Sequence, residues 1–342
     1  MMKFLIIRLG SLGDVVLTTP VIKALKERYP DAVVDFLVKK EYHDLLGGNP
    51  HLNRIIIFDS GNTHKGLKGL LGISEELRKE RYTHVIDLHG NLRSRIISRL
   101  LPGSNILRYD KQALKRRLLL SGIKANTRHT VDAYLAALNP LVECGTRNAE
   151  CGFPKIYISK EDQDRVGLFL SETGIPGSET IIGISPGAKW PTKRWMEDGF
   201  VEVGRRSVKE LGAKVIVFGG PDEIELCKRV AAGIGKEALS VAGKVGLKET
   251  SALTNRCKVF VSNDSGPMHI ATAVGTPVVA IFGPTVQGFG FSPLGKSVVV
   301  EKELECRPCS LHGSSACPKG HFKCMRQITA QEVFERVEEM MG

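Results

Sequence analysis

The sequence of 342 residues predicts an α/β protein built from two Rossmann-like domains with parallel sheets facing a central cleft. Three observations predict it. Short continuous apolar runs, such as Phe4 to Ile7 and Ile181 to Ile184, are what strands buried on both faces look like. They alternate with Gly-rich turns and helical periodicity, the pattern of parallel sheets with crossover helices. The opening strand, turn, helix and strand recur in the second half, and a length of this size suits two domains at ~100–200 residues each.

In chain order, Phe4 to Ile7 is the first strand, Gly10 to Asp14 a turn, and Val15 to Arg28 a helix with Pro20 near its start. Ala32 to Val38 is the next strand, and Val85 to Leu88 begins a further strand–helix unit. Thr173 to Gly177 marks the division, which gives domains of 1–172 and 173–326. The second half then reads as strand Ile181 to Ile184, loop Ser185 to Trp195, helix Met196 to Leu211 and strand Lys214 to Phe218. Val259 to Val261 and Pro277 to Phe282 supply two more strands. Residues 327–342 form a capped helix, Thr329-x-x-Glu332, that packs either locally or back on the first domain.

Composition excludes several classes. With 25% charged and 6% aromatic residues, neither disorder nor an aromatic nucleic-acid platform is indicated. The first apolar run is cut at Arg8, too short for a secretory signal. Ser265 to Gly295 lacks Asp, Glu, Lys and Arg, but its glycines and prolines interrupt any membrane-spanning helix. The expectation is a soluble cytoplasmic protein whose 8 cysteines stay reduced.

Ligands of parallel sheets bind beyond the carboxyl ends of the strands, so the loops there carry the candidate chemistry. Gly10-Ser11-Leu12-Gly13-Asp14 lacks the spacing of a dinucleotide fingerprint, which disfavours a nicotinamide enzyme. Asp14 is either a helix cap or a general base, with Gly10 and Gly13 admitting a substrate. Ser185 to Trp195 sets Lys193 and Arg194 beside a helix start, suited to phosphate or solvated. After Gly219, Glu223 could accept from ribose hydroxyls or begin a helix. Asn263-Asp264-Ser265-Gly266-Pro267-Met268-His269 reads as a cap or as a sugar- or phosphate-binding turn.

Four segments together resemble glycosyltransferase family 9, the lipopolysaccharide heptosyltransferases. They are Ile7 to Asp14, Asp87 to Ser94, Ser185 to Ala188 with Lys193 to Trp195, and Asn263 to His269. The resemblance implies a GT-B fold with an N-terminal acceptor domain and a C-terminal nucleotide-sugar domain. It further implies transfer of L-glycero-D-manno-heptose from ADP-heptose to the Kdo–lipid A inner core, with inversion. Asp14 would then be the base, Lys193 would stabilise departing ADP, and Glu223 would bind ribose. Asp264, Ser265, Gly266 and His269 would line the donor-sugar site. Ser185, Gly187, Thr192, Arg194 and Gly219 complete the donor set; Gly10, Ser11, Gly13, Arg93, Arg116, Arg117 and Arg128 form the acceptor set.

If a lysine and backbone dipoles neutralise the leaving group, no metal cofactor is needed. Asp162-Gln163-Asp164 spells a D-x-D, but inside a capped acidic helix start, where a structural role is expected. Cys306, Cys309, Cys317 and Cys324, with His312 and His321 between, are either a structural metal site or free thiols. Cys144, Cys151, Cys227 and Cys257 read as single residues.

The formal charge is +11, of which residues 1–170 carry +9. His89 to Thr130 holds 10 basic residues and one acid. Solvated helix charges explain some of these. An anionic lipid-linked acceptor, met at the inner face of the inner membrane, explains the concentration better. Two rival readings fit parts of the sequence: an enzyme transferring or epimerising another nucleotide sugar, and a nucleic-acid-binding protein with a zinc module. The second leaves the Gly-rich strand-end loops unexplained, so no nucleic-acid partner is expected.

Overall fold

Buried apolar runs do form the strands. A computed structural model describes residues 1–141, 152–175 and 179–342; Cys144, Cys151, Pro176 and Gly177 lie outside the described residues. Its contacts define two units, Met1–Ala113 with Arg128–Tyr157, and Leu114–Thr127 with Ile158–Gly342.

Among the described residues, the first unit holds a five-stranded sheet. Its strands are β1 (Lys3–Ile7), β2 (Val33–Lys39), β3 (Arg54–Phe58), β4 (His84–Asp87) and β5 (Asn105–Arg108). All neighbours are parallel, in the order β3-β2-β1-β4-β5. Helices α1 (Leu12–Val16), α2 (Thr19–Arg28), α3 (Gly66–Lys79) and α4 (Leu92–Arg99) make the crossovers. One core layer joins Leu5, Ile7, Leu37 and Val85 of the sheet to Leu70, Ile73 and Ile97 of α3 and α4.

The single helix expected over Val15 to Arg28 is two. Thr18 and Thr19 hydroxyls donate to the carbonyls of Val15 and Val16, and Pro20 sits in the first turn of α2. Proline lacks an N–H and fits a helix only near its start, so it begins a new helix here.

Next, α5 (Ala113–Leu120) lies mostly within the segment counted with the second unit, and α6 (Thr130–Ala136) returns to the first. The second unit continues with α7 (Lys160–Glu172), β6 (Ile181–Ser185), α8 (Glu197–Leu211), β7 (Lys214–Val217), α9 (Ile224–Ile234) and β8 (Ala238–Ser240). It ends with α10 (Leu247–Arg256), β9 (Val259–Asn263), α11 (Gly266–Ala273), β10 (Val278–Phe282), β11 (Ser297–Glu301), α12 (Lys323–Arg326) and α13 (Ala330–Met341). Its parallel sheet runs β11-β10-β9-β6-β7-β8.

Two segments placed in the first domain from sequence are therefore grouped with the second. Residues 114–127 are one. The other is α7, whose Val166 and Leu170 pack with Ala252, Leu253 and Phe218. The apolar face of α13, Val333, Phe334 and Val337, is buried with Val203 and Ile281 of its own unit, which is local packing. The D-x-D segment is a helix cap. Ser159 and Asp162 exchange hydrogen bonds, and although partial burial opposes its charge, Ser159 and Arg165 hold the Asp162 carboxyl down to about 2.

Both sheets reverse strand order once, between β1 and β4 and between β6 and β9. At such a reversal the flanking loops diverge, leaving room for a ligand beyond the strand ends.

Candidate active site

In the first unit, the chain leaves β1 through Arg8, which is only 6% exposed. A buried guanidinium needs partners, and it has them. Its Nη1 donates to the Leu88 carbonyl at 2.6 Å, and its Nη2 lies 2.6 Å from Asp14 Oδ2. Ser11 Oγ donates to the same oxygen at 2.8 Å, and the Tyr134 hydroxyl donates to Asp14 Oδ1 at 3.2 Å. Tyr134 is fully buried; burial, then the Asp14 charge, pushes its pKa well above 10, so it stays a donor. Ser11 is the α1 N-cap but makes no side-chain cap bond; its hydroxyl goes to Asp14 instead. Gly10 admits Tyr42: a Cβ there would lie 2.7 Å from Tyr42 Cε2.

The loop after β4 completes this end of the sheet. Asp87, fully buried, accepts from the backbone N–H groups of His89 and Gly90, and Gly90 turns through a φ of +60°. Burial, and then the Arg8 charge, lowers the His89 pKa to about 4, so its imidazole is neutral near pH 7. Arg93 is exposed on the first turn of α4, and Arg128 is exposed at the edge of the unit. Arg116 and Arg117, expected with them, belong to the second unit, where the Arg116 guanidinium lies 4.7 Å from the Phe291 ring centroid.

In the second unit, Asn263 at the end of β9 braces the loop after β6. Its Nδ2 donates to the carbonyls of Pro186 and Gly187, and its Oδ1 accepts from Trp195 N–H. Arg194 Nε closes the loop on the Ala188 carbonyl at 2.8 Å. Lys193 Nζ lies 2.6 Å from Asp264 Oδ2, and Thr285 donates to that oxygen at 2.6 Å. The two residues expected to handle phosphate and sugar are thus one ion pair, with Asp264 buried and Lys193 partly buried. Gly187 permits a close approach, since a Cβ there would stand 2.0 Å from Glu223 Oε1. Glu223 Oε2 accepts from Gly220 N–H, and Gly219 leaves room for Cys227 Sγ. Ser185 is fully buried, Ser265 and Gly266 open α11, and His269 is buried in that helix. Gly13 is buried within α1.

Thr192 is engaged elsewhere. Its hydroxyl donates to the Ser314 carbonyl and accepts from Ser314 N–H, tying the loop to the cysteine-bearing segment. In that segment Cys306 Sγ is 3.8 Å from His321 Nε2. Burial pushes the Cys324 thiol up to about 11 and raises Cys309. Among the described residues the cysteines are free thiols, and no group of three or more His, Cys, Asp or Glu could hold a metal ion.

Sequence reasoning assigned no role to Arg8, Tyr134, Asn263 or Thr285. A charge immediately after a buried strand signals Arg8, because it must meet an anion there. Tyr134 carries no such signal, being joined to Asp14 only by the fold.

A family model described as glycosyltransferase family 9 (heptosyltransferase) matches residues 71–319. Lipopolysaccharide heptosyltransferase 2 of Salmonella typhimurium is 25% identical across 100% of this chain and 99% of its own length. Lipopolysaccharide heptosyltransferase 3 of Escherichia coli is 28% identical over 80% of each. Among solved structures, a family 9 glycosyltransferase from Veillonella parvula aligns with a TM-score of 0.85 at 25% identity, covering 99% of this chain and 97% of that one. The E. coli ADP-heptose lps heptosyltransferase II shares the fold, with a TM-score of 0.78 at 24% identity over 99% and 98% of the two chains.

Proposed function

Because this chain belongs to glycosyltransferase family 9 and is a glycosyltransferase, we propose that it transfers L-glycero-D-manno-heptose from ADP-heptose to the Kdo–lipid A inner core of lipopolysaccharide, with inversion. The observation that carries this reading is the Asp14 carboxylate, held at the end of β1 by Arg8, Ser11 and Tyr134. The names of the full-length relatives support the substrate class.

In this reading Asp14 removes the proton from the acceptor hydroxyl as its oxygen bonds to the anomeric carbon. The bond from that carbon to the donor's phosphate oxygen breaks, and ADP leaves with the electron pair. A base must be ionised before it can act. The Arg8 cation and two hydroxyl donors favour that form and fix the direction of the carboxylate.

Lys193 offsets the charge growing on the diphosphate, and Asp264 with Thr285 fixes the ammonium before the reaction begins. Glu223 accepts from the ribose hydroxyls. Ser185, Gly187, Arg194, Gly219, Ser265, Gly266 and His269 line the rest of the donor site. Thr192 holds the loop through Ser314. Gly10, Ser11 and Gly13 shape the acceptor side, while Arg93, Arg116, Arg117 and Arg128 attract the acceptor's carboxylates and phosphates.

Among the described residues no helix is long and apolar enough to cross a membrane. We place the enzyme in the cytoplasm, peripheral to the anionic inner leaflet that holds its acceptor. The test supplies ADP-heptose with Kdo–lipid A, with or without a first heptose already attached, and follows ADP release and product mass. Heptose addition to either acceptor supports the reading; addition to neither, with the folded protein, overturns it.

A further inference from the structure

Residues 113–127 form an arm whose outer surface is exposed among the described residues. At its base, Arg128 N–H donates to Gln112 Oε1 and Gln112 Nε2 donates to the Arg128 carbonyl, pinching the two ends together. One side is anchored in the second unit. Arg116 stacks on Phe291, and the Thr127 hydroxyl donates to the Gly288 carbonyl. Yet α5 buries none of its residues. Leu114 is 72% exposed, Ile123 is 53% exposed, and Lys115, Arg117 and Lys124 are exposed beside them. Leu114, Arg117 and Leu118 share a stripe at helical spacing. The helix then stops at Gly122, whose φ of +79° supports a closing turn that presents Ile123 and Lys124. Between Lys111 and Val131 there is no acidic side chain.

We propose that the outer surface of this arm is a docking surface for an anionic phospholipid layer. Leu114 and Ile123 enter the headgroup–acyl boundary, and Lys115 and Lys124 lie against the phosphates. The occupant is argued from complementarity: exposed branched apolar side chains beside exposed cations, with no acidic side chain between Lys111 and Val131, match an interface that is anionic outside and apolar just beneath. The inference rests on the reading of a lipid-embedded acceptor, and names the segment that brings the enzyme to it.

The test uses the full-length protein and sedimentation with vesicles of phosphatidylcholine, alone or with one third phosphatidylglycerol. The wild type binds only the anionic vesicles, and salt releases it. A cation near such a surface contributes about fivefold in affinity, so Lys115→Gln with Lys124→Gln weakens binding at least tenfold. Leu114→Ser with Ile123→Ser weakens it at least fivefold at the same charge. Both double variants melt with the wild type, and both retain transfer to a deacylated, soluble acceptor.

Equal wild-type binding to both vesicles, or a double variant within twofold of wild type on the anionic ones, overturns the proposal. A wild type that binds anionic vesicles but transfers heptose to no acceptor overturns the functional reading alone.

Discussion

Replacing Arg8 with methionine is the most informative change to the first unit. Methionine keeps much of the buried stem but removes the guanidinium that touches Asp14 Oδ2 and the Leu88 carbonyl, each at 2.6 Å. Breaking a buried pair by deleting one partner costs about 3–5 kcal/mol. The lower end applies here, because the Asp14 side chain is 19% exposed and retains Ser11 and Tyr134. Urea unfolding at pH 7 is therefore expected to show a loss of about 3 kcal/mol.

The kinetic consequence has a definite sign. An opposite charge within ~4–6 Å favours an ionised carboxyl by about 1–3 pH units. Without Arg8, the acid limb of kcat/KM moves to higher pH by about that amount. The loss of activity is then greatest in acid and partly recovers in alkali. Arg8→Lys, which keeps the charge, moves the limb less. An unchanged acid limb in a folded Arg8→Met protein would refute the role assigned to the pair.

Three further outcomes are expected. Lys193→Gln lowers kcat by about 10²–10³-fold, the usual loss when a group stabilising transition-state charge is removed, as steady-state ADP release would reveal. Gly187→Ala pushes a methyl into the Glu223 carboxylate and is expected to raise the KM for ADP-heptose at least tenfold, with little change in melting. The His89 imidazole titrates in the folded protein near pH 4, below its ordinary 6.5, as its ring proton shifts by NMR would show. The unfolded chain takes up that proton first as pH falls. Stability from this group is therefore complete above pH 6.5 and is lost as pH drops through 4.

Strands buried on both faces were the most legible elements. The runs at β1, β6, β9 and β10 are continuously apolar because helices cover both sides of a parallel sheet. Short or edge strands such as β5, Asn-Ile-Leu-Arg, and β8, with three half-buried residues, carry too little pattern to stand out. The break at Pro20 was missed although proline is its signal: it fits only a first turn, so a helix begun at Val15 has to restart there. The grouping of residues 114–127 with the second unit was not, because Phe291 and Gly288 lie far along the chain.

Within the candidate site, the loops were legible as loops and their internal bonding was not. Asp14, Lys193, Glu223 and Asp264 stand in the segments that follow β1, β6, β7 and β9, beyond the carboxyl ends of the strands, where chemistry belongs. That Lys193 and Asp264 form one pair, and that Thr192 turns to Ser314, are tertiary facts with no local signature.

If Asp14 is the base of an ADP-heptose transfer, Asp14→Asn abolishes that chemistry with the least change in shape. The substitution keeps the shape, removes the basic charge and replaces one accepting oxygen by an NH2 donor, which fits beside Tyr134, whose hydroxyl can turn to accept, while the amide oxygen keeps Arg8 and Ser11. Turnover of ADP-heptose with Kdo–lipid A is measured beside the affinity for ADP by calorimetry. A fall in kcat of about 10²–10⁴-fold is expected, with ADP affinity within threefold of wild type. Turnover within threefold of wild type would contradict it.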